Sequence, residues 1–192
     1  KLPAWAKPKT VWGVQALPAD LTVQAVLGRG DGVLRRDASI TLLVNNAGTA
    51  TLAPLSTADI ERLDREIQLN IVAPTRLSRA VLPGLLARNR GGLINISSVM
   101  SQMVQPGNSV YGGSKAYLLH FSDVLALEVA ASAVRVQAVL PGATRTPIWD
   151  LAGVGIKNLQ PEILMEVAEM VAAALAGFDQ GERVTVPSLP DA

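Results

Sequence analysis

Short apolar runs alternate along the chain with longer segments in which apolar residues recur every three or four positions. The short runs are rich in β-branched residues and apolar almost throughout, which is typical of parallel strands covered on both faces. They predict strands over residues 11–17, 40–45, 92–97, 134–140 and 183–187. Because helical segments separate them, the pattern predicts one α/β domain over residues 1–192, built on a doubly wound parallel sheet.

Two helices are predicted in the middle of the chain. The first follows Ser56 or Thr57, either of which is a suitable N-terminal cap, and Pro74 is expected to kink or divide it. The second runs over about 111–131. The glycine cluster GRGDG at 28–32 follows no apolar run and is expected to form a loop.

A third helix is predicted near the C-terminal end of the sequence. Pro161 is expected in its first turn and Gly177 at its C-terminal cap. Its predicted apolar face consists of Ile163, Val167, Met170, Val171 and Leu175.

Composition mainly excludes functions. The 192 residues include 17 basic and 16 acidic side chains without a basic cluster, so we expect no nucleic-acid partner. No stretch has the roughly 18–20 apolar residues of a membrane span, so we expect no membrane partner. The absence of cysteine excludes disulfides, thiolate metal ligands and cysteine nucleophiles, and no metal site is predicted. We expect a cytoplasmic protein.

Tyr111 and Lys115 are the first candidates for catalysis. They stand four residues apart in the second helix, so both side chains lie on one helical face. An ammonium near a phenol favours the phenolate and lowers the pKa of the tyrosine, which suits it to general acid–base catalysis. Taken alone, the pair is also compatible with two residues that merely share a face. Gly112 and Gly113 between them reduce helix stability and require another explanation.

Polar residues also follow two of the predicted strands. Ser98 ends the third run, at the edge where open α/β sheets bind ligands, and its hydroxyl is suited to hydrogen-bond a carbonyl oxygen. Asn45 and Asn46 end another run and precede Ala47 and Gly48, small residues beside which a flat ligand can approach the backbone. Taken alone, this second motif is an ordinary turn.

Together these residues resemble the short-chain dehydrogenase/reductase family, whose motifs occur in the same order and at similar separations. The matching segments are NNAG at 45–48, NISS at 95–98, YGGSK at 111–115 and PGATRT at 141–146, with Asn70 in QLNIVAP. The similarity covers residues 11–187. It implies a Rossmann-like fold and an NAD(P)-dependent oxidoreductase, which moves a hydride between nicotinamide and a small carbonyl or secondary alcohol substrate.

The resemblance implies four catalytic residues. Tyr111 looks like the family's proton donor or acceptor, and Lys115 like the group that lowers its pKa and holds the nicotinamide ribose. Ser98 resembles the residue that orients the substrate carbonyl, and Asn70 the helical asparagine that supports a water chain to the lysine. The two glycines match small residues that, in the family, lie beside the cofactor or a packed neighbouring helix.

The resemblance also implies a cofactor, NADP or NAD, with NADP slightly favoured by its frequency in the family. Asp20 and Leu21 match positions at the adenine ring, residues 46–48 would line the cofactor, and Thr144 with Thr146 would hold the nicotinamide carboxamide and a phosphate. The full implied set is Asp20, Leu21, Asn46, Ala47, Gly48, Tyr111, Lys115, Pro141, Gly142, Thr144 and Thr146.

No segment matches the family's opening strand and glycine-rich turn, so we expect the first βαβ unit to be absent from this chain. Because the sequence ends just after the last predicted strand, we also expect a C-terminal tail to be absent. The positions that distinguish NAD from NADP belong to that unit. The resemblance implies a homo-oligomer, a tetramer or a dimer, paired through the helices of Asn70 and Tyr111.

Several alternatives stay open at this point. The chain is an enzyme that turns over substrate, a catalytically silent cofactor-binding or scaffold protein of the same fold, or a fragment that acts only as an interaction domain. Trp149 either lines a substrate pocket or packs in the interior. His120, five residues after Lys115, is expected to point away from the face of the tyrosine and the lysine.

Overall fold

The computed structural model describes residues 17–188. Among them, four parallel strands form one sheet in the order β1-β2-β3-β4. Their bounds are Leu42–Asn45 for β1, Gly91–Ile96 for β2, Val134–Val139 for β3 and Val184–Thr185 for β4. Four of the five predicted strands are confirmed with slightly different bounds. The strand predicted over 11–17 lies outside the described residues, apart from Leu17.

Six α-helices accompany the strands in this part of the chain. They are α1 (Gln24–Arg36), α2 (Ile60–Ile67), α3 (Ala73–Ala87), α4 (Ser109–Glu128), α5 (Ile148–Leu151) and α6 (Val167–Gln180). Short 3₁₀ turns cover Val99–Ser101, Ile156–Asn158 and Pro161–Ile163. Across residues 17–188, no helix combines the length and the apolar character that crossing a bilayer requires.

A π-helical segment, Gln68–Val72, joins α2 to α3. It confirms the division expected at Pro74, which lies in the first turn of α3 and lacks the amide that a continuous helix would use. The predicted cap of α2 at Ser56 or Thr57 was wrong. Its cap is Asp59, whose carboxylate accepts a hydrogen bond from the amide of the second residue of the helix (3.0 Å).

The centre of the sheet is covered on both faces. Leu93 of β2 packs with Leu85 of α3 and Leu125 of α4. The next residue along the strand, Ile94, points to the opposite face and packs with Phe178 of α6. This arrangement confirms the doubly wound parallel sheet.

The glycine cluster at 28–32 lies inside α1, so the predicted loop was wrong. Helix α1 packs against α3, with Leu27 fully buried. The Asp31 carboxylate of α1 forms an ion pair with Arg76 of α3 (2.7 Å). These tertiary contacts outweigh the low helix propensity of glycine, which the sequence pattern alone could not show.

Helix α6 differs from its prediction at both ends. It begins after Glu166, whose side chain forms a capping box with Glu169. Pro161 belongs instead to a separate 3₁₀ turn. The helix ends at Gly181, which has φ 81° and therefore the left-handed conformation that glycine adopts easily. The predicted cap, Gly177, lies within the helix.

The apolar face predicted for α6 was also wrong. Val167, Val171 and Leu175 are 42%, 43% and 46% exposed. Of the predicted set, Met170 alone packs against the core, and Ile163 lies outside the helix. The sheet-facing side carries Ala174, Gly177 and Phe178. A Cβ atom at Gly177 would collide with the Thr185 hydroxyl of β4, so close packing requires glycine at this position.

Candidate active site

The carboxyl ends of three strands bring the predicted motifs to one edge of the sheet. Residues 46–48 follow β1, Ser98 lies just beyond β2, and the segment 141–146 follows β3. The Ser97 hydroxyl donates a hydrogen bond to the Lys115 carbonyl (2.7 Å), which fixes the first turns of α4 at the same edge. This is the edge at which open parallel sheets bind ligands.

Asn45 of the predicted NNAG motif has a structural role. Its amide nitrogen donates to the Asn95 side-chain carbonyl of β2 (2.7 Å) and to the Ser78 hydroxyl of α3 (3.1 Å). The Asn95 amide in turn donates to the Ser122 hydroxyl of α4 (2.8 Å). All four side chains are buried, so this network joins the sheet edge to both helices that cover it.

Asn70 lies in the π-helical segment and is fully buried. Its side-chain carbonyl accepts a hydrogen bond from the Thr49 amide (3.0 Å). Its side-chain nitrogen donates to the Thr49 carbonyl (2.9 Å) and to the Ser114 hydroxyl of α4 (3.0 Å). Asn70 therefore holds the loop after β1 against α4. Its predicted part in a water chain stays a prediction.

Lys115 is buried beside that asparagine. Its ammonium donates to the Ile96 carbonyl at the end of β2 (2.9 Å) and lies 5.7 Å from the ring centre of Tyr111. A Cβ atom added at Gly48 would lie 3.4 Å from the Lys115 Nζ atom, so the loop after β1 passes directly over the ammonium. Burial lowers the pKa of Lys115 to about 8, against the opposing effect of the Glu66 carboxylate.

Burial raises the pKa of Tyr111, the nearby Ser98 hydroxyl lowers it, and the Glu66 carboxylate raises it. The net direction is opposite to the lowering that the Tyr–Lys spacing predicts, because desolvation of the phenol dominates. Ser98 itself is buried, and its hydroxyl accepts a hydrogen bond from the Met100 amide (3.2 Å). The phenol and the serine hydroxyl are thus neighbours at the sheet edge.

The two glycines of α4 have different surroundings. A Cβ atom at Gly112 would lie 3.3 Å from the Met100 carbonyl, which is a close approach. At Gly113 a Cβ atom would meet no described atom within 4 Å apart from the adjacent residues and the backbone of its own helix. Close packing within the chain therefore explains Gly112 and does not explain Gly113. His120, further along α4, is exposed, as its offset from Lys115 predicts.

A cleft opens between the end of β1 and the π-helical segment. Five of the residues predicted to form the site line it: Leu21, Asn46, Ala47, Asn70 and Lys115. Other predicted cofactor positions lie outside this lining. Asp20 is exposed, and the hydroxyl and amide of Thr22 lower its pKa.

The segment after β3 begins at the same edge of the sheet. The Pro141 carbonyl accepts a hydrogen bond from the Val99 amide (3.0 Å), and Thr144 is buried. Trp149 donates its indole N–H to the Thr144 carbonyl (2.8 Å), which favours the packing interpretation of this tryptophan. Gly142 packs closely, since a Cβ atom there would lie 2.9 Å from the Ser188 hydroxyl. The roles predicted for Thr144 and Thr146 stay predictions.

Glu66, which was not among the residues predicted from the sequence, is fully buried beside this site. Burial raises the pKa of its carboxyl, whereas Thr51, Lys115 and Arg62 lower it. The only sequence signal is its position four residues before Asn70, which puts both side chains on one helical face.

Two solved structures share this architecture at substantial sequence identity. A short-chain dehydrogenase from Sphingobium yanoikuyae, in complex with NADPH, is 46% identical, with a TM-score of 0.88 over 93% of this chain and 69% of that one. The bulky-bulky ketone specific alcohol dehydrogenase from Comamonas testosteroni, in an orthorhombic crystal, is 40% identical, with a TM-score of 0.81 over 92% and 66% of the two chains.

Curated proteins with similar sequences are likewise described as dehydrogenases or oxidoreductases. A probable NADP-dependent dehydrogenase from Haemophilus influenzae is 41% identical over 105 residues, which are 54% of this chain and 42% of that protein. The oxidoreductase UcpA from Salmonella typhimurium is 34% identical over 152 residues, 78% of this chain and 57% of that protein. The chain thus spans about half the length of these relatives. A family model described as short chain dehydrogenase matches residues 14–153, and the chain belongs to this family.

Proposed function

We propose that the full-length protein is an oxidoreductase that transfers a hydride between a nicotinamide cofactor and a small carbonyl or secondary alcohol substrate. One observation carries the proposal: the Ser98 hydroxyl, the Tyr111 phenol and the Lys115 ammonium converge at the ligand-binding edge of a parallel sheet. This constellation provides a hydrogen-bond donor for a carbonyl oxygen and an acid–base group beside it.

The chain's own residues fit a nicotinamide dinucleotide. The loop at 46–48 has small residues where it passes Asn70 and Lys115, so a flat ligand can approach the backbone there. When bound, the dinucleotide would donate or accept the hydride. We propose NADP ahead of NAD, since the Sphingobium structure is described as an NADPH complex and the Haemophilus relative as NADP-dependent.

The proton chemistry is assigned to the side chains. In reduction, Tyr111 would give its proton to the carbonyl oxygen while the Ser98 hydroxyl hydrogen-bonds that oxygen. Because burial raises the pKa of Tyr111, the phenol is protonated at neutral pH in this structure, the form that reduction requires. In oxidation, the same phenol must first lose its proton, which a nearby ammonium at Lys115 would favour.

The test compares the two tyrosines of this chain. The full-length protein is screened with ketones and secondary alcohols and both cofactors. Tyr111→Phe should reduce turnover by about 10²-fold or more while cofactor affinity stays within a few-fold, because only proton transfer is removed. Tyr117→Phe is the matched control in the same helix and should stay active. Near-parental rates in Tyr111→Phe would contradict the proposal. Cofactor binding without turnover on any substrate would favour the silent scaffold instead.

We also propose that the full-length protein assembles into a homo-oligomer, a tetramer or a dimer, in the cytoplasm. Support comes from the outer face of α4, where Tyr117, Val124 and Leu127 are 37%, 40% and 65% exposed. Burying such a face in an isologous contact is the commonest solution. Light scattering at micromolar concentration should show the oligomer, and Leu127→Lys should shift it toward smaller species. A monomeric parent would contradict this assembly.

A further inference from the structure

Glu66 is a buried acid that the proposed reaction does not use. Its side chain is fully buried, yet neither carboxylate oxygen forms a hydrogen bond of ordinary geometry among residues 17–188, although the Thr51 hydroxyl and amide approach it. The other acids of α2, Glu61 and Asp64, are exposed. Burying a carboxyl group without a well-formed hydrogen bond is energetically costly, so its position beside the active site requires an explanation.

Glu66 faces the catalytic candidates across a helix interface. It is buried in α2 one turn before Asn70, α2 contacts α4, and the side-chain nitrogen of Asn70 donates to the Ser114 hydroxyl of α4, next to Lys115. From α4, the titratable groups that face it are Lys115 and Tyr111. From the loop after β1, the hydroxyl and amide of Thr51 approach its carboxylate and lower its pKa, and Thr51 carries no charge.

One further cation lies near this acid. Arg62, from the same helix, is exposed, and its guanidinium donates to the Leu151 carbonyl (2.7 Å). Lys115 is therefore the buried cation that faces Glu66 in the described part of the chain. In a site of low dielectric constant, such a charge acts over several ångströms.

The electrostatic effect of Glu66 has the same sign on both partners. A negative charge favours the protonated form of any neighbour, so it stabilises the Lys115 ammonium and disfavours the Tyr111 phenolate. Removing the charge must therefore lower the pKa of both groups. This sign does not depend on how the proton is shared between them.

We propose that Glu66 is a positioning residue of this site, which acts through Lys115 and Tyr111 by keeping both side chains protonated. It thereby raises the pH at which the phenol changes from an acid to a base. The role matters for catalysis only if the protein has the proposed oxidoreductase function. The test itself requires neither cofactor nor substrate.

The direct test is a titration of the phenol in the full-length protein. The difference in near-ultraviolet phenolate absorbance between each protein and its Tyr111→Phe counterpart isolates Tyr111. Glu66→Gln removes the charge at nearly equal volume and should lower the midpoint of the Tyr111 titration. Glu66→Asp keeps a carboxylate and should return the midpoint toward that of the parent. Asp64→Asn, at an exposed acid of the same helix, should leave it unchanged.

An unchanged or raised midpoint in folded Glu66→Gln overturns the proposal. If circular dichroism shows that this variant does not fold, Glu66→Met replaces it, because an apolar side chain of similar size leaves no buried polar atom unpaired. The same downward change is then expected, and its absence overturns the proposal. If the midpoint falls but the protein turns over no substrate, the role of Glu66 is supported and the proposed oxidoreductase function is contradicted. Failure of the Glu66 proposal can thus be distinguished from failure of the proposed function.

Discussion

Replacing Lys115 by methionine should change how the stability of the protein depends on pH. Burial lowers the pKa of this lysine from its ordinary value of 10.5 to about 8. Each unit of difference between the unfolded and folded pKa corresponds to roughly 1.4 kcal/mol. Below about pH 8 the folded protein carries the buried ammonium and bears the full cost, about 3 kcal/mol.

The sign of the pH dependence follows from this cost. Between about pH 8 and pH 10.5 the folded lysine has lost its proton while the unfolded one retains it, so the cost disappears as the pH rises. The free energy of unfolding should therefore increase with pH in the parent, relative to Lys115→Met, by about 2 kcal/mol between pH 7 and 9.5. Methionine also leaves the Ile96 carbonyl without its donor, which lowers stability equally at both pH values.

Urea unfolding of the full-length proteins at the two pH values measures the effect. Lys157→Met is the matched control, because Lys157 is exposed and its loss should leave the pH dependence of the parent intact. Parallel pH dependences in the parent and Lys115→Met would refute the reasoning, since they would show that the lysine carries no desolvation cost. A confirmed difference would mean that the site retains its cation at the expense of stability.

Three other substitutions test contacts around the site. Asn70→Ala should lower the free energy of unfolding by about 2–3 kcal/mol in urea, because the amide and carbonyl of Thr49 lose their partner. Gly177→Ala should lower the free energy of unfolding by about 1–3 kcal/mol, and with it the melting temperature, since its Cβ atom would collide with Thr185. Gly113→Ala should instead raise the free energy of unfolding by up to about 1 kcal/mol, measured by thermal unfolding, because its Cβ atom enters open space. A loss of stability or of cofactor affinity in that variant would show that another molecule approaches the position.

The parts of the fold that the sequence predicted well are those that burial determines. Strands such as β2 and β3 are apolar on both faces because helices cover both, and this leaves a plain signal in the sequence. The ends of those strands then locate Ser98 and residues 46–48 at one edge without knowledge of any contact.

Elements that depend on tertiary contacts were predicted poorly. Helix α1 contains three glycines, and its stability comes from packing on α3 and from the Asp31–Arg76 ion pair. In α6, Val167, Val171 and Leu175 are exposed, whereas the close approach of β4 requires the small Gly177 on the sheet-facing side. Hydrophobic periodicity therefore selected the wrong face. Glu66 was missed for the same reason, because an acid on an amphipathic helix is expected to face water.

The buried asparagines also affect how the strands align. Asn45 and Asn95 are directly opposite each other in the parallel pairing of β1 and β2. A slip of β1 by one residue would turn its asparagine to the opposite face of the sheet and leave the Asn95 carbonyl buried without its donor. Misaligned pairings of these two apolar strands are thereby penalised during folding. The amide pair thus gives the two strands a single permitted alignment, which apolar side chains alone would specify only weakly.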